Sequence, residues 1–276
     1  MRSSRYKGRS TAFGFVLAML LAPPIQAADE RLPDTEVTVF QTYRAWLTGP
    51  TASYGHAVLG DGIEAQGFTV EDGTRAFSYR LPADAVFEDR RVRLFDLDHD
   101  GRPEALIVKS YLDRGAALAL FRIGASGIFE LAESEPIGTR YRWLNPVGVG
   151  NFTSGGSPLI AAVITPHLAG SLRLYKLDGI RLQEVARLDG FTNHIIGSRD
   201  LDLAHIFVAG DSGQHEILIP SLDRLSLNVI GLSEGGVLNV RTRFRFESPI
   251  VRVAILQTGA ATVTLQSGQT RSFPLR

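Results

Sequence analysis

Between Phe95 and Glu104 the chain reads Phe-Asp-Leu-Asp-His-Asp-Gly-Arg-Pro-Glu. Asp96, Asp98 and Asp100 alternate, so a tight loop turns three carboxylates to one side. Gly101 allows the sharp turn, and the Arg102 carbonyl and the Glu104 side chain follow where further oxygens are needed. A hard cation such as Ca²⁺ takes about six to eight oxygen ligands at flexible geometry. The expected metal set is therefore Asp96, Asp98, Asp100, Arg102 and Glu104, holding one Ca²⁺. This is no EF-hand, because Ile107 stands where that loop needs its last carboxylate and the apolar run 105–108 leads into a strand. The competing reading is a solvated Asp-rich turn, since Asp favours turns for backbone reasons.

A second set is dispersed: His56, Lys109, Arg142, Trp143, Asn145, His167, Asn193 and His194. Arginine offers a fork of donors and an aromatic ring can stack on a sugar face, so together they suit a polar or anionic ligand. Singly, each is a local device: a histidine bonding its neighbours, an arginine on a wet rim, a tryptophan wedged between sheets. A zinc-like centre at His56, His167 and His194 has no short ligand spacing behind it. Gly210-Asp-Ser-Gly213 looks like part of a serine-nucleophile motif, but Gln214 follows and a turn between strands explains it better. No Gly-x-Ser-x-Gly elbow, His-Glu-x-x-His or Walker loop occurs.

The dispersed set becomes one site only if the intervening elements converge. Beyond the N-terminus, short β-rich runs separated by Gly, Asp, Ser and Pro fill the chain. Residues 92–108 can be laid on 147–163 without a gap: Val92, Gly101, Pro103 and Val108 recur as Val147, Gly156, Pro158 and Val163. A degenerate third copy begins near Ile195. A period of about 45–55 residues with several short strands per unit is a propeller signature. The expected fold is all-β, a single β-propeller of about five four-stranded blades over residues 50–276. First strands are expected near His56, Val92, Val147, His194 and Val237. Residues 28–49 are expected to close the ring, because an open edge strand invites aggregation. In such a ring the cation loop lies on one face and the dispersed set on the other.

The stretch 95–104 followed by a strand resembles the FG-GAP/VCBS repeat of integrin-like β-propellers. The resemblance is strong over one unit and degenerate over the next two. It implies a calcium loop between the first and second strands of a blade, and extracytoplasmic binding proteins more than any one chemistry. In the second copy the carboxylates are replaced by Asn151, Thr153 and Gly155, with Leu159 for Glu104, so no metal is expected there.

Arg2, Arg5, Lys7 and Arg9 precede an apolar run over 12–22 and a Pro-Pro-Ile-Gln-Ala-Ala segment, which reads as a secretory signal peptide over 1–27. The run is too short to span a bilayer. The protein is therefore expected in the periplasm or secreted, with no transmembrane segment after cleavage. Basic and acidic residues balance over the whole chain. Losing the leader leaves a mildly acidic protein without an electrostatic footprint for nucleic acid. There is no cysteine, so no disulfide supports the exported fold. The expected function is a calcium-stabilised binding module, monomeric, for a glycan, a small polar ligand or an envelope protein. The rival is an enzyme resembling propeller glycoside hydrolases, which needs two carboxyl groups facing each other across a channel; no such pair stands out in the sequence.

Overall fold

A computed structural model describes residues 30–210, 213–256 and 259–275. The expected leader, 1–27, lies outside these, as do Asp211 and Ser212 of the serine-like motif. The described chain is all-β, with no α-helix. No helix is long and apolar enough to cross a membrane among these residues.

The strands follow one another in five antiparallel groups. The first holds β1 (Thr38–Phe40), β2 (Tyr43–Thr51), β3 (Glu64–Glu71) and β4 (Ala76–Arg80). A short β5 (Ala85–Phe87) then bridges β3 and the second group. That group is β6 (Arg93–Phe95), β7 (Glu104–Tyr111), β8 (Gly115–Gly124) and β9 (Gly127–Glu133). The third is β10 (Leu144–Gly150), β11 (Leu159–Ile164), β12 (Ser171–Asp178) and β13 (Arg181–Asp189). The fourth is β14 (His205–Val208), β15 (His215–Pro220), β16 (Ser226–Leu232) and β17 (Leu238–Arg245). The last is β18 (Ile250–Ile255), β19 (Ala260–Leu265) and β20 (Thr270–Pro274). β5 and one parallel pair, Arg181 with Glu133, join the first three groups into one sheet; the fourth and fifth are separate sheets.

The core follows from the two-residue period of a strand. On β7, Ala105 and Ile107 enter one apolar cluster with Phe68, Phe87 and Phe121, while Leu106 and Val108 enter the next with Leu118, Trp143 and Ile160. On β11, Ile160, Ala162 and Ile164 face that second cluster, and Leu159, Ala161 and Val163 face a third with Phe152, Leu172 and Ile217. On β15, Ile217 and Ile219 face the third and Leu218 a fourth, with Val253 and Val263. Each inner sheet is thus sandwiched between two cores, which is why β7 and β11 are buried along their whole length while β13 alternates. Burial of each large side chain contributes about 1.5–3 kcal/mol.

The repeat placed β6–β7 and β10–β11 where they are found, but three other expected strand starts move. His56 lies in an irregular connection between β2 and β3, since Gly55 and Ala57 flank it at φ 62° and 57° and break the extended chain. Residues around His194 are tied into turns, with the Thr192 hydroxyl donating to the His194 carbonyl at 3.0 Å, and the fourth group starts only at His205. Val237 precedes β17, the closing strand of that group, because a tight turn from Ser233 pairs Leu232 with Leu238. Within 28–49, β1 forms a hairpin with β2. Among the described residues no ladder joins β18–β20 to the first group.

Candidate functional site

The connection between β2 and β3 is strapped down by buried carboxylates. Glu64, the first residue of β3, accepts the backbone N–H groups of Gly55 and His56, both at 3.3 Å. Glu88 follows β5 and is only 2 % exposed. One of its oxygens meets His56 Nδ1 at 2.6 Å, the other accepts from the Ser110 hydroxyl at 2.5 Å, and its carbonyl accepts from Trp143 Nε1 at 2.9 Å. Burial raises the pKa of both glutamates, most simply because no water solvates the charge; His56 and Ser110 counteract this at Glu88.

Two aromatic rings, Tyr54 and Tyr141, meet His56. Tyr141 stacks on its ring, with centroids 5.1 Å apart and planes at 26°. The buried Tyr54 hydroxyl accepts the Tyr141 N–H at 2.9 Å, and burial together with Glu88 pushes the Tyr54 phenol up to about 12. Gly115 lets the loop 139–142 sit where it does: it lies at φ 79°, and a Cβ there would come within 2.3 Å of the Thr139 carbonyl. Trp143 stacks parallel to His167, which its own strand-end partner positions through the Thr165 N–H to Trp143 carbonyl bond at 2.9 Å. The result is a pocket of about 170 Å³, lined among others by His56, Tyr141, Arg142, Trp143, Thr165 and His167. Tyr141 and Thr165 line it in left-handed backbone conformations, at φ 61° and 48°, and Ala57 adjoins it in another. Strain of this kind, severe for a β-branched residue, gathers at functional sites.

The histidines sit in a defined chain of hydrogen bonds. His194 Nε2 lies 2.9 Å from the Ser198 carbonyl, which can only accept, so this nitrogen carries the proton. With His194 neutral, its Nδ1 is an acceptor, and His167 Nε2, 2.8 Å away, is the donor to it. Burial lowers both pKa values to about 4. The two rings bond each other and do not converge with His56 on a common point, so the sequence-level idea of a three-histidine metal finds no support in their arrangement.

Of the eight dispersed residues, the structure brings His56, Arg142, Trp143 and His167 around the pocket, with His194 packed behind Trp143 and His167. Asn145 and Asn193 are placed elsewhere: both are fully buried, and each amide donates to the other's carbonyl, at 3.3 and 2.8 Å. Arg93, anchored on Asp89 at 2.6 Å, donates to Asn145 Oδ1. Lys109 points away from Ser110 across the strand and bonds Glu130 and Glu133 at 2.9 and 2.8 Å. Burial alone would lower its pKa, but those carboxylates and Tyr111 raise it. Sequence reasoning missed Glu88, Glu64, Tyr141 and Thr165. Glu88 opens the charged run 88–91, which reads as solvated linker; its cue was the apolar triplet 85–87 just before it.

In the loop 95–104, Asp96, Asp98 and Asp100 each bring an oxygen within 4.8 Å of the others. They also shape the turn: Gly101 N donates to Asp96 Oδ2 at 3.1 Å and Arg102 N to Asp100 Oδ1 at 2.7 Å. Asp96 Oδ1 is buried and has no hydrogen-bond partner. A buried lone carboxylate oxygen amid two more carboxylates is what a hard cation would satisfy, so the residues fit Ca²⁺. Glu104 is buried and stands apart from the three, its carboxylate accepting the Leu97 N–H at 3.0 Å. Burial raises its pKa, with Asp98 and Asp100 adding to the effect.

No protein-family model matches this chain, and no curated protein is detectably similar to it.

Proposed function

We propose that the protein is an exported, calcium-stabilised β-propeller of the FG-GAP/VCBS kind that binds a small polar ligand in the pocket around His56, Trp143 and His167. The carrying observation is the pocket: three separate connections deliver aromatic and imidazole rings to one point, on a buried glutamate and strained backbone. Successive antiparallel groups sandwiched between shared cores support the propeller reading. The Asp96, Asp98 and Asp100 cluster, with its unsatisfied buried oxygen, supports Ca²⁺, and the Arg102 carbonyl would complete its loop ligands. The chemistry the ion supplies is charge neutralisation that stiffens this loop. The leader 1–27 supports export to the periplasm or beyond.

The glycoside hydrolase reading draws on Glu64 and Glu88, two buried carboxylates near one another. Both oxygens of Glu88 are engaged by His56 and Ser110, and Glu64 is engaged by backbone. Neither is poised as a free acid or nucleophile, so binding is the better reading.

A thermal-shift screen of the purified protein tests it, with calcium or chelator, against sugars, sugar acids and other small polar metabolites. A ligand at 100 times its Kd adds about 2.7 kcal/mol, which raises Tm by several degrees. One chemical class of hits is expected. Calcium stabilisation with no hits would move the ligand assignment to an envelope protein partner.

A further inference from the structure

We propose that the pocket selects a monosaccharide-sized carboxylate bearing hydroxyl groups, that is, a sugar acid. This rests on the pocket being a binding site and names its ligand class. The hydrogen-bond chain fixes one demand. The Ser198 carbonyl accepts the His194 Nε2–H and His194 Nδ1 accepts the His167 Nε2–H, so His167 presents Nδ1 as a lone pair without a protein partner among the described residues. A lone pair in a partly dry pocket calls for a donor, which a ligand hydroxyl supplies.

Charge fixes the second demand. Arg142 lines the pocket, and its guanidinium has no hydrogen-bond or ion-pair partner among the described residues. Arg140 lies over the Tyr141 ring, 4.4 Å from its centroid. No acidic side chain lines the pocket to neutralise them, because Glu88 and Glu64 are spent on the strap behind it. Such a site favours an anion, and a planar carboxylate suits the arginine fork. The third demand is apolar. Tyr141, Leu168 and Ile196 are 38 %, 55 % and 70 % exposed at the rim, giving a surface for the C–H face of a ring. At about 170 Å³ the pocket is well below the roughly 300–1,000 Å³ of drug-sized sites, which limits the ligand to a single ring.

Calorimetric titration in chelator, so that the cation loop contributes nothing, tests this with three probes: a hexuronate, the matching neutral hexose and cyclohexanecarboxylate. The hexuronate is expected to bind at least about tenfold tighter than either other probe. Arg142→Gln should abolish its advantage over the hexose. His167→Phe, which keeps a ring against Trp143, should abolish its advantage over cyclohexanecarboxylate. Equal binding of hexuronate and hexose would overturn the carboxylate requirement, and equal binding of the two acids would overturn the hydroxyl requirement. If no probe binds while another member of the metabolite panel binds and moves the His56 and His167 imidazole signals, the sugar-acid class is wrong and the pocket reading stands. If nothing in the panel binds either, both fall.

Discussion

Glu88 is the residue on which the pocket depends. It holds His56 by the ring and Ser110 by the hydroxyl, and it holds Trp143 through its carbonyl. Glu88→Ala leaves a buried hydroxyl and an imidazole N–H without acceptors, at about 1–3 kcal/mol each. Chemical denaturation should therefore show a loss on the order of 3 kcal/mol, while Glu88→Gln, which can still accept from one of them, should lose less. His167 and His194 make a pH prediction. Their folded pKa values, about 4, lie below the ordinary 6.5, so the unfolded chain takes up protons first as pH falls. Their contribution to stability is flat well above about pH 6.5 and declines as pH drops toward 4. Allowing for the partial exposure of His167, the decline attributable to the pair should be on the order of 2 kcal/mol. Denaturation midpoints at pH 7, 5.5 and 4.5 measure it, and the double variant His167→Phe/His194→Gln should flatten that part of the profile.

At the scale of elements, connections rather than strands carry the chemistry. Gly115→Ala places a methyl against the Thr139 carbonyl in a left-handed conformation, so it should cost more than about 1 kcal/mol and displace the 139–142 loop. Loss of hits in the ligand screen, alongside a retained unfolding transition, would locate the damage. The cation loop behaves differently. Asp98 and its partner Arg122 are both about half exposed, 3.5 Å apart, so their ion pair contributes little. Asp98→Asn should leave Tm in chelator nearly unchanged and abolish the rise in Tm expected from calcium. Strands with a period, a turn glycine and a repeated partner were legible in the sequence, as β6–β7 and β10–β11 show. The starts near His56 and His194 were not, because side-chain hydrogen bonds and left-handed residues override strand propensity there. Histidine, arginine and tryptophan drew notice by type, and half of the expected set, His56, Arg142, Trp143 and His167, does line the pocket. Glu88 was invisible, because only the fold turns a charged linker residue inward. Asn145 and Asn193 misled, since a buried amide pair and a binding amide look alike in one dimension.

For the whole molecule, stability is distributed along a stack. Four apolar clusters each join two successive groups of strands, so losing one loosens two groups at once. Phe121 packs edge-on to Phe68 and Phe87, with centroids at 5.0 and 5.7 Å, and Phe121→Ala should cost about 3–5 kcal/mol. The six histidines provide a built-in map of the molecule. His56 and His167 line the pocket, His194 packs behind it, and His99 lies in the 95–104 loop. His205 and His215 are held elsewhere, on the Val253 carbonyl and beside Asn151. Imidazole ¹⁵N spectra, titrated first with calcium and then with the metabolite panel, read every site at once. Calcium should move His99 alone, and one ligand class should then move His56 and His167 while His205 and His215 stay fixed. A panel that binds the protein but leaves the His56 and His167 rings unmoved would contradict the pocket as its site.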